Sequence, residues 1–242
     1  MTSRQPVKNK KNSSPKSAAM VAGAIGIVAA TGAGGYIAGT STVQDVQGFE
    51  PVYTVSKQNL KEAKTKLSSL EVRSDTANIP DYDSKTMPEW SRSNGCSTRY
   101  NLLAGKLESA NADRASCKIT SGTIFDYYTG SLLAYNRRTN GGGIDIDHIV
   151  AKGDAWESGG YAWSNDEWKT YINDSNVLIA TSANINRSKG DKNAAEWLPP
   201  NEDYWCKYVT DQINIKSEYH LSVTADEKST IERILATNCK KN

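Results

Sequence analysis

The residues with the clearest potential for chemistry lie in the segment Asp145-Ile-Asp-His148. A neutral imidazole can take a proton from water, and a carboxylate beside it can bind a divalent metal ion. The chain has two histidines, and the other, His220, lies between two predicted helices without acidic neighbours, so we interpret it as structural. Because a lone Asp-His pair is more often structural than catalytic, the interpretation of His148 depends on the residues that accompany it.

Asparagines and a lysine follow His148 at informative positions. Asn176 directly precedes an apolar run, and Asn186 lies in the polar segment after it, with Lys189 three residues on. Residues three apart share a helical face. An amide oxygen can complete a site for a hard metal ion, and a cation one turn away can contact a phosphate. Taken alone, however, this segment is typical of a polar helix with a solvated basic face.

The elements that must position these residues are two short strands and a helix. The alternation of apolar and acidic residues over 144–150 predicts a strand with Asp145 and Asp147 on one face. A second strand is predicted over 177–180. A helix over about 182–189 follows, and the glycine after it is a typical terminator. The predicted central order is therefore strand, long excursion, strand, helix.

Helices dominate the flanking sequence. Two capping boxes, Ser164-Asn-Asp-Glu167 and Thr224-Ala-Asp-Glu227, each predict the start of a helix. The other predictions, in chain order, are an amphipathic helix over 56–72, irregular structure over 73–94, a helix over 97–107, short strands and turns over 117–135, and a long helix over 201–219.

The N-terminal region differs in charge from the rest of the chain. Residues 1–44 carry five Lys and Arg and no acid, whereas the whole chain has a net charge of +2. The remainder is thus mildly acidic, which excludes a broad basic surface for holding DNA. The apolar stretch over 18–38 is long enough to cross a bilayer, and the preceding positive charges predict an internal N-terminus. The alternative is a signal peptide cleaved near Ala38.

The four cysteines, Cys96, Cys117, Cys206 and Cys239, contain no CxxC pair, which disfavours a zinc site. An even number of cysteines in an exported body indicates two disulfides. The spacing alone leaves all three pairings open, of which the pairing of sequence neighbours is the simplest.

Together, the residues around His148 resemble the pattern of HNH endonucleases: Asp-His on a strand, Asn before the next strand, and His or Asn in the following helix. The resemblance implies a ββα-metal finger in which His148 is the general base, Asp147 and Asn186 bind the metal, and Asn176 organises the loop around the histidine. Lys189 would then be a catalytic cation. Asp145 either orients His148 or a metal-bound water, or is a plain surface residue.

The chain resembles most closely the secreted bacterial HNH proteins related to the C-terminal domain of GmrSD-type restriction enzymes. This resemblance covers about residues 95–239 and favours the disulfides Cys96–Cys117 and Cys206–Cys239. Its motifs are Cys96-Ser-Thr-Arg99, Cys117, Asp126-Tyr-Tyr-Thr-Gly130, Asp145-Ile-Asp-His148, Ala155-Trp-Glu-Ser-Gly159, Asn186-Arg-Ser-Lys-Gly-Asp191, Trp197-Leu-Pro-Pro200, Cys206-Lys-Tyr208 and Cys239. Arg99 either clamps a phosphate or forms a structural contact, and we favour the structural role. The chain departs from the pattern at Ala151-Lys152-Gly153, where Pro-Leu is usual.

These observations lead to one set of expectations. The fold is α+β, with the HNH finger in a mostly helical, disulfide-stapled domain over 95–242, preceded by a basic tail (1–16), an anchor or signal peptide (17–40), and a linker with an amphipathic helix (41–94). The expected activity is hydrolysis of DNA outside the cytoplasm with Mg²⁺. Mn²⁺, Ca²⁺ and Zn²⁺ are the alternative metals, and RNA is the alternative substrate. The expected N-terminal partner is the membrane. The alternative function is a catalytically inactive, membrane-tethered module that binds nucleic acid or serves as a scaffold.

Overall fold

The computed structural model describes residues 53–73, 78–140 and 143–239, so the predicted tail and membrane segment over 1–40 lie outside the described residues. The described residues form an α+β fold, as predicted. The helices are α1 Lys57–Ser69, α2 Thr98–Lys106, α3 Arg137–Asn140, α4 Lys152–Glu157, α5 Asn165–Asn173, α6 Ala183–Lys189, α7 Trp205–Glu218 and α8 Ala225–Thr237. The strands are β1 Arg92–Ser93, β2 Cys96–Ser97, β3 Glu108–Asp113, β4 Lys118–Asp126, β5 Ser131–Asn136, β6 Ile144–His148 and β7 Leu178–Ser182.

Strands β6 and β7 and helix α6 form the predicted ββα unit. The strands are antiparallel, with His148 opposite Leu178 and Asp147 opposite Ile179. The excursion between the strands contains α4 and α5. Helix α6 begins after Ser182, whose hydroxyl accepts a hydrogen bond from the backbone of Ile185, and ends at a glycine with φ of 56°. This glycine conformation is unfavourable for side chains with a Cβ, which is why the helix stops there.

A second, three-stranded sheet lies beside this unit, in the order β3-β4-β5. Strand β3 was not predicted, because Glu108–Asp113 contains no large apolar residue and is a strand only through its pairing with β4. Asp126, at the end of β4, is fully buried. Its carboxylate accepts hydrogen bonds from the Thr181 hydroxyl at 2.8 Å and the Ser182 backbone N–H at 3.2 Å, and so ties this sheet to the start of α6.

The compact domain begins before residue 95, where the sequence placed its boundary. Helix α1 packs against α7, and its Ala63 and Leu67 are buried in the same core cluster as Ile213 of α7. The amphipathic face that was predicted for this helix is thus part of the core of the domain and does not belong to a separate linker segment.

Buried charges hold three of the surrounding helices together. The ammonium of Lys216, on α7, lies 3.0 Å from Asp154 on α4 and 2.8 Å from Glu227 on α8. All three side chains are almost completely buried. Buried charges are tolerated when they are paired in this way, so the network fixes the position of α4, which follows the candidate site in the chain.

Both predicted disulfides are present. Cys96–Cys117 joins β2 to the residue before β4, and Cys206–Cys239 joins the start of α7 to the residues that follow α8. Within residues 53–73, 78–140 and 143–239, no helix combines the length and the apolar composition that crossing a bilayer requires.

Candidate active site

His148 lies at the end of β6, where its imidazole ring has two aromatic neighbours. The ring is nearly parallel to Trp90, with centroids 5.7 Å apart, and to Tyr171, with centroids 5.8 Å apart. Its Nε2 atom lies 3.2 Å from the carbonyl oxygen of Ile172, near the end of α5. Because a carbonyl oxygen can only accept, Nε2 carries the hydrogen in this contact, and in the neutral ring Nδ1 is then the acceptor.

The environment of His148 keeps this ring neutral. Burial is the main cause that lowers the pKa of His148, to about 3, and the positive charges of Lys152 and Lys189 add to it, while the Ile172 carbonyl opposes it. A general base must be deprotonated before it can accept a proton. At neutral pH the imidazole is therefore neutral, and Nδ1 is its acceptor nitrogen.

Asp147 is almost completely buried and has both carboxylate oxygens engaged. The Tyr128 hydroxyl donates to one oxygen at 2.8 Å, and the Lys189 ammonium lies 3.0 Å from each. Lys189 also donates to the carbonyl oxygen of His148 at 2.8 Å. Burial raises the pKa of Asp147, while Lys189 and Tyr128 lower it.

Lys189 therefore has a different position from the one expected of a cation that contacts a phosphate. Its side chain is fully buried, and its ammonium group points into the domain towards Asp147. The reason is that a lysine desolvated to this extent needs a carboxylate beside it. Lys189 thus holds the Asp147-His148 segment from the interior of the domain.

Asn186 contacts Asp145 on the same face of the ββα unit. The amide nitrogen of Asn186 donates to Asp145 at 3.3 Å, and both side chains are half-buried. No direct hydrogen bond joins Asn186 to Asp147, the two residues expected to share a metal ion, among the residues described. The structure thus brings Asn186 together with the neighbouring carboxylate, Asp145.

The oxygen donors on this face fit a hard cation that retains much of its water. The part of the chain that the structure describes contains no group of three or more His, Cys, Asp and Glu that could hold a metal. One half-exposed carboxylate and one amide oxygen suit Mg²⁺, which is bound through few protein ligands. They do not suit the closed nitrogen and sulfur coordination of a structural zinc site.

Asn176 and Arg99 have backbone roles. Asn176 is exposed, and its backbone N–H donates to the Asp174 side chain at 2.8 Å in the turn before β7. The next residue, Val177, accepts from the N–H of Ile149 at 2.8 Å, so this turn is connected to the residue after His148 through the main chain. Arg99 donates to the carbonyl of Ile144, the first residue of β6, at 3.0 Å.

Two contacts at the site were missed by the sequence reasoning. Tyr128 belongs to the quoted Asp-Tyr-Tyr-Thr-Gly motif, but nothing in that motif identified its hydroxyl as a donor to Asp147. Trp90 lies in a segment predicted as irregular, and its stacking on His148 has no local sequence signal. Both contacts join residues that are distant in the chain.

The fold and this site define an α+β domain of the HNH type. The chain matches the family described as GmrSD restriction endonucleases, C-terminal domain, over residues 58–233, and it belongs to that family. It is also 38% identical over 159 residues to an uncharacterized secreted protein of Arthroderma benhamiae, a match that covers 64% of this chain and 75% of that protein. No solved structure matches the chain. The predicted family is thereby confirmed, whereas the bacterial origin stays a prediction.

Proposed function

We propose that this protein is a metal-dependent nuclease that hydrolyses phosphodiester bonds of DNA with little sequence preference. The observation that carries the proposal is the state of His148, whose Nε2 is held by a backbone carbonyl while Nδ1 is left to accept a proton. Membership in a family of restriction endonucleases supports the same reaction class.

In the proposed reaction, His148 Nδ1 takes a proton from a water molecule as the water oxygen attacks the phosphorus atom. The bond from phosphorus to the 3′ oxygen breaks in the same displacement, and the 3′ oxygen leaves with the bonding electron pair and takes a proton from solvent water, so no covalent enzyme intermediate is required. Trp90 and Tyr171 pack near the imidazole, whose Nε2 contacts the Ile172 carbonyl, and the Tyr171 hydroxyl donates to the carbonyl of Val150. A base held in this way does not need to be reoriented before each proton transfer.

A divalent cation, expected to be Mg²⁺, would be held by Asn186 together with the carboxylates on its face of β6. Of these, Asp145 is the more open to solvent, whereas Asp147 is already neutralised by Lys189. When bound, the cation supplies Lewis-acid stabilisation of the charge that develops on the phosphate and on the leaving oxygen. Asn186 and Asp145 are therefore the ligands we assign first.

We also propose that the domain works outside the cytoplasm. Two disulfides, which persist in oxidising compartments, and the secreted relative support this location. The segment over 17–40 would either anchor the protein in the membrane or be removed as a signal peptide. N-terminal sequencing of the mature protein distinguishes the two, because a cleaved form begins near Gly39 or Thr40.

Nicking of supercoiled plasmid by the purified, disulfide-bonded protein tests the activity. Cleavage is expected with Mg²⁺ or Mn²⁺ and should stop with a chelator. His148→Asn should reduce the rate about 10²- to 10⁴-fold, the usual contribution of a general base. His220→Asn is the matched control, because His220 is exposed and has φ of 54°, a conformation that Asn tolerates.

An intact plasmid after incubation of the wild type with each metal would contradict the nuclease proposal. It would instead favour a module that binds nucleic acid without cleaving it. A parallel assay on single-stranded RNA identifies the substrate if RNA is cleaved in preference to DNA.

A further inference from the structure

Asp126 has a buried carboxylate between the three-stranded sheet and the ββα unit, and the proposed reaction does not use it. It is the last residue of β4 and is fully buried. Its Oδ1 atom accepts from the backbone N–H of Tyr128 at 3.0 Å and from the Thr181 hydroxyl at 2.8 Å, and its Oδ2 atom accepts from the backbone N–H of Ser182 at 3.2 Å. None of these donors carries a charge, so the carboxylate is held by hydrogen bonds whose geometry is fixed by the main chain and by one hydroxyl.

Only a carboxylate satisfies this set of donors. An amide of the same size has one acceptor oxygen and one NH₂ group. In either orientation the NH₂ group would face a backbone N–H, that of Ser182 or that of Tyr128, and one of these contacts would be lost. Asp126→Asn is therefore a change of few atoms that loosens the connection between β4 and the ββα unit.

The donors to Asp126 belong to the elements that carry the candidate metal ligands. Thr181, on β7, is the cross-strand partner of Asp145 on β6. Ser182 is the N-cap of α6, and Asn186 follows it by four residues, about one helical turn. Because α6 has only seven residues, its starting point determines where Asn186 lies. The contact of 3.3 Å between Asn186 and Asp145 thus spans the junction of β7 and α6 that Asp126 holds.

The turn after Asp126 also reaches the second carboxylate of β6. The Tyr128 hydroxyl donates to Asp147 at 2.8 Å, and the backbone N–H of the same tyrosine is bound by Asp126. A hydrogen bond of 2.8 Å from the N–H of Gly130 to the Asp126 carbonyl closes the turn. One short turn therefore contacts both the start of α6 and the Asp147 side chain.

We propose that Asp126 is a positioning residue of the metal site: by holding the junction of β7 and α6, it sets the distance between the ligands Asp145 and Asn186. This inference rests on the proposed nuclease function, which requires the metal ion. Asp126 acts through these residues and does not bind the cation itself, since its carboxylate is fully buried and both oxygens are engaged. Removing a contact that orients a metal ligand typically costs about 10- to 100-fold in metal affinity.

Four variants of the full-length protein test this role. Asp126→Asn removes one backbone contact, Thr181→Val removes the hydroxyl donor, and Thr181→Ser keeps that donor. Asp211→Asn is the matched control, because it removes a partly buried carboxylate of α7 whose partners are Lys207 and Tyr204. Binding of Mn²⁺ is measured without DNA by electron paramagnetic resonance, from the loss of the free Mn²⁺ signal. The half-saturating Mg²⁺ concentration for plasmid nicking and the melting temperature are measured for each variant.

For Asp126→Asn we expect the Kd for Mn²⁺ and the half-saturating Mg²⁺ concentration to rise about 10- to 100-fold at a temperature where the variant is folded. Thr181→Val should raise both values to a smaller extent, because two donors to Asp126 remain, whereas Thr181→Ser and Asp211→Asn should keep the wild-type values. Asp126→Asn should add little to the effect of Asn186→Ala, since a residue that acts through a ligand has no further effect once that ligand is absent.

An unchanged Kd for Mn²⁺ in Asp126→Asn, together with a lower melting temperature, would show that Asp126 supports only the fold. Full additivity of Asp126→Asn and Asn186→Ala would likewise contradict action through Asn186. If Asp126→Asn does not fold, the pair Thr181→Val and Thr181→Ser decides the question: equal Mn²⁺ affinities in the two variants refute the positioning role.

The Mn²⁺ measurement separates this inference from the nuclease proposal, because it requires no cleavage. If the wild type cleaves DNA but Asp126→Asn keeps the wild-type Kd for Mn²⁺, the positioning role is refuted and the nuclease function stands. If the wild type binds Mn²⁺ without cleaving DNA and Asp126→Asn weakens that binding, the positioning role is supported and the nuclease function is refuted. A wild type that binds no Mn²⁺ refutes both.

Discussion

Replacing Lys189 with methionine tests whether its ammonium is the buried counter-ion of Asp147. The two side chains are 0% and 6% exposed, and the ammonium lies 3.0 Å from Asp147. Without it, Tyr128 is the one side-chain donor among the described residues that remains to a carboxylate removed from water. Removing one partner of a buried pair typically costs about 3–5 kcal/mol, a large part of the roughly 5–15 kcal/mol by which a domain is stable.

Urea unfolding at neutral pH and 25 °C measures this loss. Lys192→Met is the matched control, because Lys192 is exposed and donates to main-chain carbonyls, so its loss should stay within about 0.5 kcal/mol. The double variant Asp147→Asn with Lys189→Met should recover most of the stability, since replacing both members of a buried pair by neutral groups is often close to neutral. A loss below about 1 kcal/mol for Lys189→Met alone, or no recovery in the double variant, would refute the counter-ion role.

The remaining predictions concern the base, the metal ligand and a disulfide. Because the pKa of His148 is lowered to about 3, the base stays neutral as the pH falls from 8 to 5. A profile of kcat/KM over this range should therefore show no loss centred on the ordinary histidine pKa of about 6.5. A loss of activity centred there would contradict the proposed environment of His148. Asn186→Ala should raise the half-saturating Mg²⁺ concentration at least about tenfold in a metal titration of nicking, and an unchanged value would remove Asn186 from the metal site. Replacing Cys206 and Cys239 with serine removes a disulfide between residues 33 positions apart. The free energy of unfolding, measured by urea denaturation, should fall by about 3–4 kcal/mol. An unchanged urea midpoint would show that this disulfide does not stabilise the domain.

Much of the local structure around the site could be predicted from the sequence. The capping boxes at Ser164 and Thr224 are both formed, and α5 and α8 start directly after them. The alternation around Asp145 and Asp147 correctly predicted β6 and placed both carboxylates on one face. These features depend on interactions within a few residues or on the two-residue repeat of a strand, so neighbouring residue types determine them.

The resemblance to HNH proteins extended this prediction to the family and to the disulfide partners. The spacing of four cysteines is compatible with three pairings, of which the pairing of sequence neighbours is the simplest, and the motif order favoured the same two disulfides, which the structure contains.

Tertiary structure alone determined how the site residues are used. Asp147 contacts Tyr128 and Lys189, which lie 19 and 42 positions away from it in the chain. Helical spacing placed Lys189 beside Asn186 but did not show that the Lys189 ammonium is buried. Similarly, Trp90, Tyr171 and Ile172 come together around His148 from distant segments, and burial is the main cause that keeps its ring neutral. Sequence specified which chemical groups are present, but burial and long-range packing decided which of them are neutralised and which are left to react, since desolvation depends on every element that surrounds a group.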